Sequence, residues 1–298
     1  KKKLTEVQQE IADDFIRSYD AGDRTPVLLH GITGSGKTEV YMEMIDAMLQ
    51  RGKQCIVLIP EIALTYQTLL RFYKRFGDAV SVMHSRLSAG ERYDQMKRAK
   101  RGEVQVMIGP RSALFTPFQK LGLIIIDEEH ETSYKSDSMP KYHAREVAVH
   151  LAEMTDACVV MGSATPSLEA NYRAQQGIYK KYVLSERIGD AVLPEVQIVD
   201  MRQELAGGNS SIFSRHLETA IADRLEKRQQ VMLFLNRRGI SGFVSCRACG
   251  YVMKCPHCDV ALTEHNNGKL VCHYCGYEQP RVEKCPMCGS PYIGGFKA

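Results

Sequence analysis

A glycine-rich loop, an acidic strand end and four cysteine pairs carry the residues of this 298-residue chain that are best suited to chemistry. The loop reads Gly-Ile-Thr-Gly-Ser-Gly-Lys-Thr over residues 31–38, and an apolar stretch ends in Asp-Glu-Glu-His at residues 127–130. Eight of the ten cysteines form Cys-x-x-Cys pairs, which are Cys246/Cys249, Cys255/Cys258, Cys272/Cys275 and Cys285/Cys288. One chain therefore combines the pattern of a nucleotide-hydrolysing domain with that of a two-metal module.

The loop fits the pattern Gly-x-x-x-x-Gly-Lys-Ser/Thr and lies between a predicted strand and a predicted helix, as a phosphate-binding loop does. Its glycines let backbone N–H groups surround phosphates at a helix N-terminus. Lys37 is suited to neutralise the β- and γ-phosphate oxygens, and the Thr38 hydroxyl to ligate Mg²⁺. The alternative is a glycine-rich turn that matches by chance. We predict an ATP site made by Gly31, Thr33, Gly34, Ser35, Gly36, Lys37 and Thr38.

The acidic strand end complements this loop. Asp127 follows a fully apolar strand, where a second Mg²⁺-anchoring carboxylate belongs, and Glu128 is suited to orient and deprotonate an attacking water. Alone, such a cluster would usually be a solvated loop. Together with the phosphate loop it favours hydrolysis over phosphoryl transfer to a metabolite, and we predict Lys37, Asp127 and Glu128 as the catalytic residues.

The cysteine pairs have zinc-ribbon spacing, with 5, 13 and 9 residues between successive pairs. Eight ligands make two closed, structural Cys₄ sites; iron–sulfur binding is the alternative that four regular knuckles disfavour. Four pairs can combine in three ways, and the 13-residue spacer suits a hairpin inside an inner site. We therefore favour the nested pairing, with zinc 1 on Cys246, Cys249, Cys285 and Cys288, and zinc 2 on Cys255, Cys258, Cys272 and Cys275. The histidines nearby, His257, His265 and His273, are predicted to be spare and exposed, and Cys55 and Cys158 to be inert core residues.

The elements that must position these groups follow from the apolar pattern. Short apolar runs at 27–29, 55–59, 80–83, 104–108, 123–126 and 158–161 indicate buried strands; the stretches 37–50, 61–76, 89–100, 143–153 and 167–176 have helical period. This alternation predicts an α/β fold whose mostly parallel sheet is covered on both faces. A looser stretch follows, and then a helix at 214–227 and a strand at 231–235 begin another α/β unit that the cysteine module interrupts.

Bulk composition limits the location and the partners. No segment approaches the roughly 20 apolar residues of a membrane span, and no signal-peptide pattern is present, so we expect no membrane association and a cytosolic protein with reduced thiols. The formal charge of +4 falls to zero if eight thiolates bind two Zn²⁺ ions, so nucleic-acid binding must depend on local basic patches. The chain begins with lysines rather than Met, and both ends look cut, so we expect a fragment.

At this point the chain resembles the superfamily 2 helicases. Residues 127–130 are similar to their DExH box, and residues 162–166 to their Ser-Ala-Thr coupling motif. Residues 60–65 and 109–112 resemble the segments that track a DNA backbone. Gln8 or Gln9 resembles the glutamine that contacts adenine in related helicases, and an ordinary glutamine on a helix surface is the alternative. The resemblance implies coupling or DNA contacts by His130, Ser163, Thr165, Pro60, Thr65, Arg111 and Ser112. Residues 236–239 resemble the opening of a second motor lobe, or are simple solvated charge.

Aromatic and basic side chains alternate between residues 131 and 145. Such a mixture can stack bases and contact phosphates, and an ordinary surface loop is the alternative. The resemblance makes it the loop that couples DNA binding to ATP hydrolysis, with Tyr134, Lys135, Tyr142 and Arg145 as contacts.

The four knuckles placed just after the first strand of a second lobe are similar to one helicase family, the bacterial replication-restart helicases. That resemblance implies a RecA-like lobe (1–185), a linker (186–213), the start of a second lobe (214–243), a zinc-binding insertion (244–292) and a truncated return (293–298). It also supports the nested zinc pairing. It implies a monomeric, nucleoid-associated 3′-to-5′ DNA helicase with ATP, Mg²⁺ and two Zn²⁺, whose partners are single-stranded and forked DNA, primosome proteins and single-strand-binding protein.

Two rival interpretations remain open. A RecG-like or restriction-type translocase should lack the cysteine insertion. A zinc-ribbon binding module could use its phosphate-loop domain as a scaffold, and replacement of Lys37 distinguishes that case. By comparison with the family, the chain lacks an N-terminal DNA-binding region and the later second-lobe arginines, a loss typically of ~10³–10⁵ in rate. We therefore expect these 298 residues to bind nucleotide and zinc but to hydrolyse ATP poorly.

Overall fold

The computed structural model describes residues 3–189, 194–234, 243–265 and 268–295. The chain divides into two compact units, one over residues 1–192 and the other over residues 193–298. Each unit has its own apolar core. Within the described ranges, no helix is long and apolar enough to cross a membrane.

A seven-stranded sheet in which every pairing is parallel forms the first unit. Its strand order is β3-β4-β2-β5-β6-β1-β7. The strands are β1 (Val27–Gly31), β2 (Gln54–Leu58), β3 (Val80–Val82), β4 (Val106–Gly109), β5 (Leu121–Asp127), β6 (Cys158–Ser163) and β7 (Lys180–Leu184). The helices are α1 (Glu6–Asp20), α2 (Lys37–Gln50), α3 (Tyr66–Phe76), α4 (Ala89–Lys100), α5 (Ala144–Thr155) and α6 (Leu168–Gln175).

The strands are apolar on both faces because helices cover both sides of the sheet. Ile125 packs into one buried cluster, whereas its neighbours Ile124 and Ile126 pack into the other. All three side chains are fully buried. Successive strand residues point to opposite faces, so a continuous apolar run is what a doubly covered sheet requires. The predicted α/β fold with a mostly parallel sheet is confirmed.

Local capping signals set most helix limits. The predicted helices at 37–50 and 89–100 have those bounds in the structure, and the Ser88 side chain accepts a hydrogen bond from Glu91 N in a capping box. The predicted helix at 61–76 was wrong in one respect. It is divided into a 3₁₀ turn and α3, because the Thr65 hydroxyl caps a new N-terminus at Thr68 N.

Parallel strands bring their carboxyl ends to one edge of the sheet. The phosphate loop follows β1, the acidic box follows β5, and the Ser-Ala-Thr segment follows β6. The segments that begin at Pro60 and Pro110 follow β2 and β4 at the same edge. This edge is where ligands bind in open α/β sheets.

Two helices precede the cysteine module among the described residues of the second unit, α7 (Met201–Ala206) and α8 (Arg215–Glu226). The helix α7 lies inside the stretch that we expected to be a linker, and the Asp200 side chain accepts a bond from Arg202 N at its start. The strand expected at 231–235 is wrong for residues 231–234, which have no regular structure because no described segment pairs with their backbone. The expected second-lobe residues 236–239 lie outside the described residues.

The described residues of the cysteine-rich part form five short strands. The strand β8 (Val244–Cys246) pairs with β12 (Ile293–Gly295), and β10 (Lys269–Val271) lies between β9 (Thr263–Glu264) and β11 (Glu278–Pro280). All these pairings are antiparallel. The antiparallel β9–β10 pair is the short hairpin that we expected between the middle cysteine pairs.

Candidate nucleotide site and metal centres

The phosphate loop is a tight turn between β1 and α2. Gly34 and Gly36 have φ values of +83° and +82°, which favour glycine. The Lys37 ammonium is buried and donates to the Gly31 carbonyl at 2.8 Å. The Ser35 hydroxyl oxygen is also buried, and among the described residues it has no hydrogen-bond partner. A buried lysine and a hydroxyl without a partner in one cradle fit an anionic ligand.

Gln8, and not Gln9, contacts the loop. The Gln8 amide nitrogen donates to the Ser35 carbonyl at 2.8 Å, and its oxygen accepts from Thr5 N at 3.0 Å. A Cβ at Gly36 would lie 2.5 Å from both the Gln8 amide nitrogen and Ile188 Cδ1. Gln9 instead lies on the exposed face of α1 and bonds Asp13. A cavity of about 350 Å³ opens beside this contact, lined in part by Thr5, Gln8, Ser35 and Arg187.

Asp127 lies against the helix that the phosphate loop begins. The Tyr41 hydroxyl, on α2, donates to Asp127 Oδ1 at 3.1 Å. A Cβ at Gly162 would lie only 1.5 Å from that hydroxyl, so glycine is required there. Burial and the neighbouring Glu128 raise the pKa of Asp127 to about 6, although the Tyr41 bond and the Lys37 charge act in the opposite direction. Sequence reasoning did not identify Tyr41 as a site residue.

Glu128 and His130 lie on the turn that follows Asp127. Glu128 has a left-handed backbone with φ of +48°, which is uncommon for a non-glycine residue. Its carboxylate lies 3.6 Å from His130 Nδ1, and the same nitrogen is 2.7 Å from the Ser163 hydroxyl. Ser163 Oγ in turn accepts from Thr165 N at 2.9 Å. The acidic box and the Ser-Ala-Thr segment are therefore in direct contact.

Arg145, which we expected to contact DNA, is a buried structural residue. Its guanidinium donates to Glu129 at 3.2 Å and to the Ser167 hydroxyl at 2.8 Å. Glu129 is fully buried and also accepts from Ser167 N at 2.6 Å. A buried carboxylate needs a paired cation, which explains where the arginine lies. The DNA-contact interpretation of Arg145 is not compatible with this burial.

Tyr134 is also buried, and its hydroxyl donates to the Asp127 carbonyl at 2.7 Å. The ring is therefore unavailable for stacking on a base, whereas its bond to the acidic strand end remains compatible with coupling. His143, which the sequence placed in the same loop, caps α5 by accepting from Arg145 N.

Four of the other predicted DNA-contact residues line one groove of about 390 Å³. Its lining includes Pro60, Arg111, Ser112 and Tyr142, together with His84 and Arg92. The Arg111 guanidinium lies 5.4 Å from the centre of the Tyr142 ring and donates to the Ser133 and Lys135 carbonyls. Lys135 has an exposed side chain, and Thr65 serves as the cap of α3.

Phe115 extends this aromatic surface and was missed by the sequence reasoning. Its ring is 54% exposed and packs edge-on against Tyr142, with centroids 5.5 Å apart. The predicted tracking segment ended at Ser112, and only the apolar run Ala113-Leu-Phe115 after it could have drawn attention to this position.

The eight paired cysteines form two separate clusters, Cys246, Cys249, Cys285 and Cys288, and Cys255, Cys258, Cys272 and Cys275. This is the nested arrangement. Within each cluster the sulfur atoms lie within 4.8 Å of one another, and three sulfur–sulfur pairs are 3.6 to 3.7 Å apart. Sulfurs about 2.3 Å from a tetrahedral zinc are about 3.8 Å apart, so both donor sets fit Zn²⁺. His257, His265 and His273 are exposed, as predicted.

Each cysteine pair turns in the same way. The amide of the first cysteine donates to the carbonyl five residues later, and its carbonyl accepts from the amide four residues later. The residue in that fourth place has a positive φ in every knuckle: Gly250, Asp259, Gly276 and Gly289. The repeated turn points both sulfurs of a pair toward one ligand position.

Residues 5–173 match the model of the DEAD/DEAH box helicase family. The chain belongs to this family. Residues 255–280 also match the model of the Cys-rich region of the PriA DNA helicase. This stretch of the chain contains the four inner cysteines, Cys255, Cys258, Cys272 and Cys275. These matches confirm the resemblance to replication-restart helicases and support two Cys₄ zinc sites.

The curated proteins that are similar to this chain include the replication restart protein PriA of several bacteria. The chain is 51% identical to that of Bacillus subtilis over 98% of this chain and 36% of the relative, and 51% identical to that of Synechocystis over 91% and 34%. It therefore spans about a third of the length of the relatives it matches. Among solved structures, RecG bound to a three-way DNA junction is similar at 22% identity, with a TM-score of 0.47 over 64% of this chain and 25% of that one.

Proposed function

We propose that this helicase hydrolyses ATP to unwind DNA in the 3′-to-5′ direction at stalled or branched replication forks during replication restart. The observation that carries the proposal is the contact between Tyr41, on the helix that begins at Lys37, and Asp127. It joins the two halves of an NTP-hydrolysing site. The PriA relatives support the biological setting.

The roles of the nucleotide-site residues follow from their chemistry. The Lys37 ammonium and the loop amides bind the β- and γ-phosphates, and Thr38 and Asp127 hold the magnesium ion. Glu128 orients the attacking water and accepts its proton. Magnesium ATP, when bound, supplies the phosphoanhydride bond whose hydrolysis drives movement. Gln8 and the adjacent cavity select adenine, and the Gln8 amide then exchanges its bond with Ser35 for the base.

Coupling to DNA uses the contacts around the acidic box. His130 bonds Ser163 at the end of β6, and Tyr134 links Asp127 to the turn whose carbonyls bind Arg111. A change at the nucleotide can therefore reach the groove through a few hydrogen bonds. In that groove Arg111 contacts phosphate, and Tyr142 with Phe115 offers a stacking surface for bases.

The complete protein, rather than these 298 residues, carries this activity. We propose that second-lobe arginines outside this chain complete the ATP site, so that the chain alone hydrolyses ATP slowly. Primosome proteins and single-strand-binding protein are the proposed partners, the protein acts as a monomer, and association with the bacterial nucleoid follows from its substrate. The two zinc sites are structural, since all four positions of each are thiolates.

The test is ATP turnover by the complete protein with and without forked DNA, together with unwinding of substrates that carry a 3′ or a 5′ tail. Lys37→Ala should abolish both activities, and Lys100→Ala, on the exposed end of α4, should leave them unchanged. Strand separation that persists in Lys37→Ala would mean that the phosphate-loop domain is only a scaffold. Equal unwinding from 5′ tails would contradict the direction.

A further inference from the structure

Two histidines that neither Cys₄ cluster uses converge on the surface of the cysteine-rich part. The Nε2 atoms of His265 and His273 are 3.2 Å apart, and the ring centroids are 5.0 Å apart with 52° between the planes. Both residues are exposed. In each Cys₄ cluster four sulfurs already supply a full tetrahedral set, so neither imidazole is needed there.

We propose that His265 and His273 form a third metal site, which binds a divalent transition-metal ion at the protein surface. Imidazole nitrogens suit zinc, nickel and copper ions. An ion about 2.1 Å from both nitrogens would subtend an N–metal–N angle of about 100° at their present separation, between the tetrahedral and the octahedral values. Water completes the coordination, because both rings face solvent. The site is independent of the proposed helicase function.

Backbone hydrogen bonds are formed by His265 and by Cys272, the neighbour of His273. His265 N donates to the Lys269 carbonyl at 2.9 Å and closes the β9–β10 hairpin. His273 lies inside the third knuckle, where Cys272 N donates to the Tyr277 carbonyl at 2.8 Å. The nearby Lys269 ammonium is paired with Glu278 at 2.6 Å, which offsets its charge toward an incoming cation. A bound ion would thus cross-link the end of β9 to the third knuckle.

The alternative is that one neutral imidazole simply donates a hydrogen bond to the other. Glutamine distinguishes the two cases, since its amide can retain a hydrogen bond but does not replace a metal-binding imidazole. His257 provides the matched control. It occupies the same kind of exposed position within a knuckle, but its ring packs against Tyr277.

The experiment titrates Zn²⁺ into the full chain that already holds two zinc ions, by calorimetry and by metal content after dialysis. We expect a third, weaker ion in the wild type. His265→Gln and His273→Gln should each lower the affinity for this third ion. The loss should exceed the ~10–100-fold that follows removal of a residue that only hydrogen-bonds to a ligand of the metal. The double variant should be no worse than either single one, and His257→Gln should bind as the wild type does.

Each outcome bears on the proposal. Absence of a third ion, or a third ion that either single variant retains with the affinity of the wild type, overturns it. Before zinc is added, a content of two zinc ions in every variant verifies that both Cys₄ sites are intact. If either glutamine variant falls below two, the alanine variant at that position is titrated in its place, with the same expected loss.

Discussion

The Tyr41 hydroxyl donates a hydrogen bond of 3.1 Å to Asp127 across 86 positions of sequence. It connects the helix after the phosphate loop to the end of the acidic strand, and the absent side chain of Gly162 leaves room for it. Mg²⁺ should raise the affinity for ATP, and we predict that Tyr41→Phe reduces this gain by about 2- to 10-fold. That factor corresponds to the loss of one hydrogen bond. ATP affinity without Mg²⁺ should not change.

The matched control for that variant is Tyr19→Phe. The Tyr19 hydroxyl is also buried but has no hydrogen-bond partner among the described residues, so its removal should affect neither measurement. Fluorescent-nucleotide titrations with and without Mg²⁺ provide the data. Equal Mg²⁺ dependence in wild type and Tyr41→Phe would show that the hydroxyl does not position Asp127.

The raised pKa of Asp127 makes its contribution to stability depend on pH. Burial and Glu128 raise the pKa from 3.8 to about 6, so the folded state favours the protonated acid. Stability from this group is complete below pH 3.8 and declines as pH rises through about 6. Asp127→Asn carries no charge and escapes this loss. We predict that the nucleotide-free variant gains stability over the wild type between pH 4 and 8, by up to about 3 kcal/mol.

Urea denaturation of both proteins at several pH values measures that difference. Glu128 stays in place in both, so the comparison isolates the Asp127 carboxyl. A stability difference that does not vary with pH would contradict the raised pKa.

The buried pair of Glu129 and Arg145 should be costly to break. Their side chains are 0% and 7% exposed, and Arg145→Ala would leave a buried carboxylate without its cation. We predict a loss of about 3–5 kcal/mol in the free energy of unfolding. The exposed pair Arg17–Asp14 is the control, where Arg17→Ala should cost at most about 1 kcal/mol.

A second substitution tests the cause. If the uncompensated charge destabilises Arg145→Ala, adding Glu129→Gln should recover part of the loss. No recovery would attribute the effect to packing rather than to charge.

The aromatic pair of Tyr142, in the groove, and Phe115, beside it, should contribute to DNA affinity without much dependence on salt. Phe115→Ala removes an exposed ring from Tyr142, and stacking on a base is worth about 1–3 kcal/mol. We predict that it weakens binding of single-stranded DNA by the complete protein with an unchanged salt slope. Tyr172→Ala, an exposed ring on α6, serves as the control. Anisotropy titrations at several salt concentrations decide, and equal affinities for Phe115→Ala and wild type would remove this residue from the DNA surface.

The nested cysteine pairing predicts the metal content of double variants. Cys246→Ser with Cys285→Ser alters only the outer cluster and should leave one zinc ion per chain. Cys246→Ser with Cys255→Ser alters both clusters and should leave none. Either other pairing of the knuckles would leave none in the first variant. Mass spectrometry of the purified proteins measures this directly.

The sequence revealed those parts of the molecule in which local spacing is dictated by ligand chemistry. A phosphate loop and a Cys-x-x-Cys knuckle need fixed residues within a few positions, so both were recognised together with the helix that starts at Lys37. The acidic strand end was recognisable because a carboxylate directly follows a buried strand. The β9–β10 hairpin followed from the length of a single spacer.

Contacts between distant positions were not accessible in this way. Nothing local to Tyr41 indicates that its hydroxyl reaches Asp127. Arg145 was predicted as a DNA contact and Glu129 was given no partner, because a single sequence cannot show that two opposite charges are buried together. The strand β7 was missed because it is a half-exposed edge strand that contains two lysines. Residues 231–234 were wrongly predicted as a strand because they are apolar, although they have no neighbouring strand among the described residues.

The placement of one cysteine cluster within the other gives the two sites different loop lengths. Contacts in the inner cluster span 20 residues, whereas those in the outer cluster span up to 42. A shorter loop loses less entropy on closure, and a nascent chain completes the inner set 13 residues before the outer one. During synthesis the hairpin can therefore fold around the inner zinc ion first. The outer knuckles can then pack against this folded hairpin and bind the second ion.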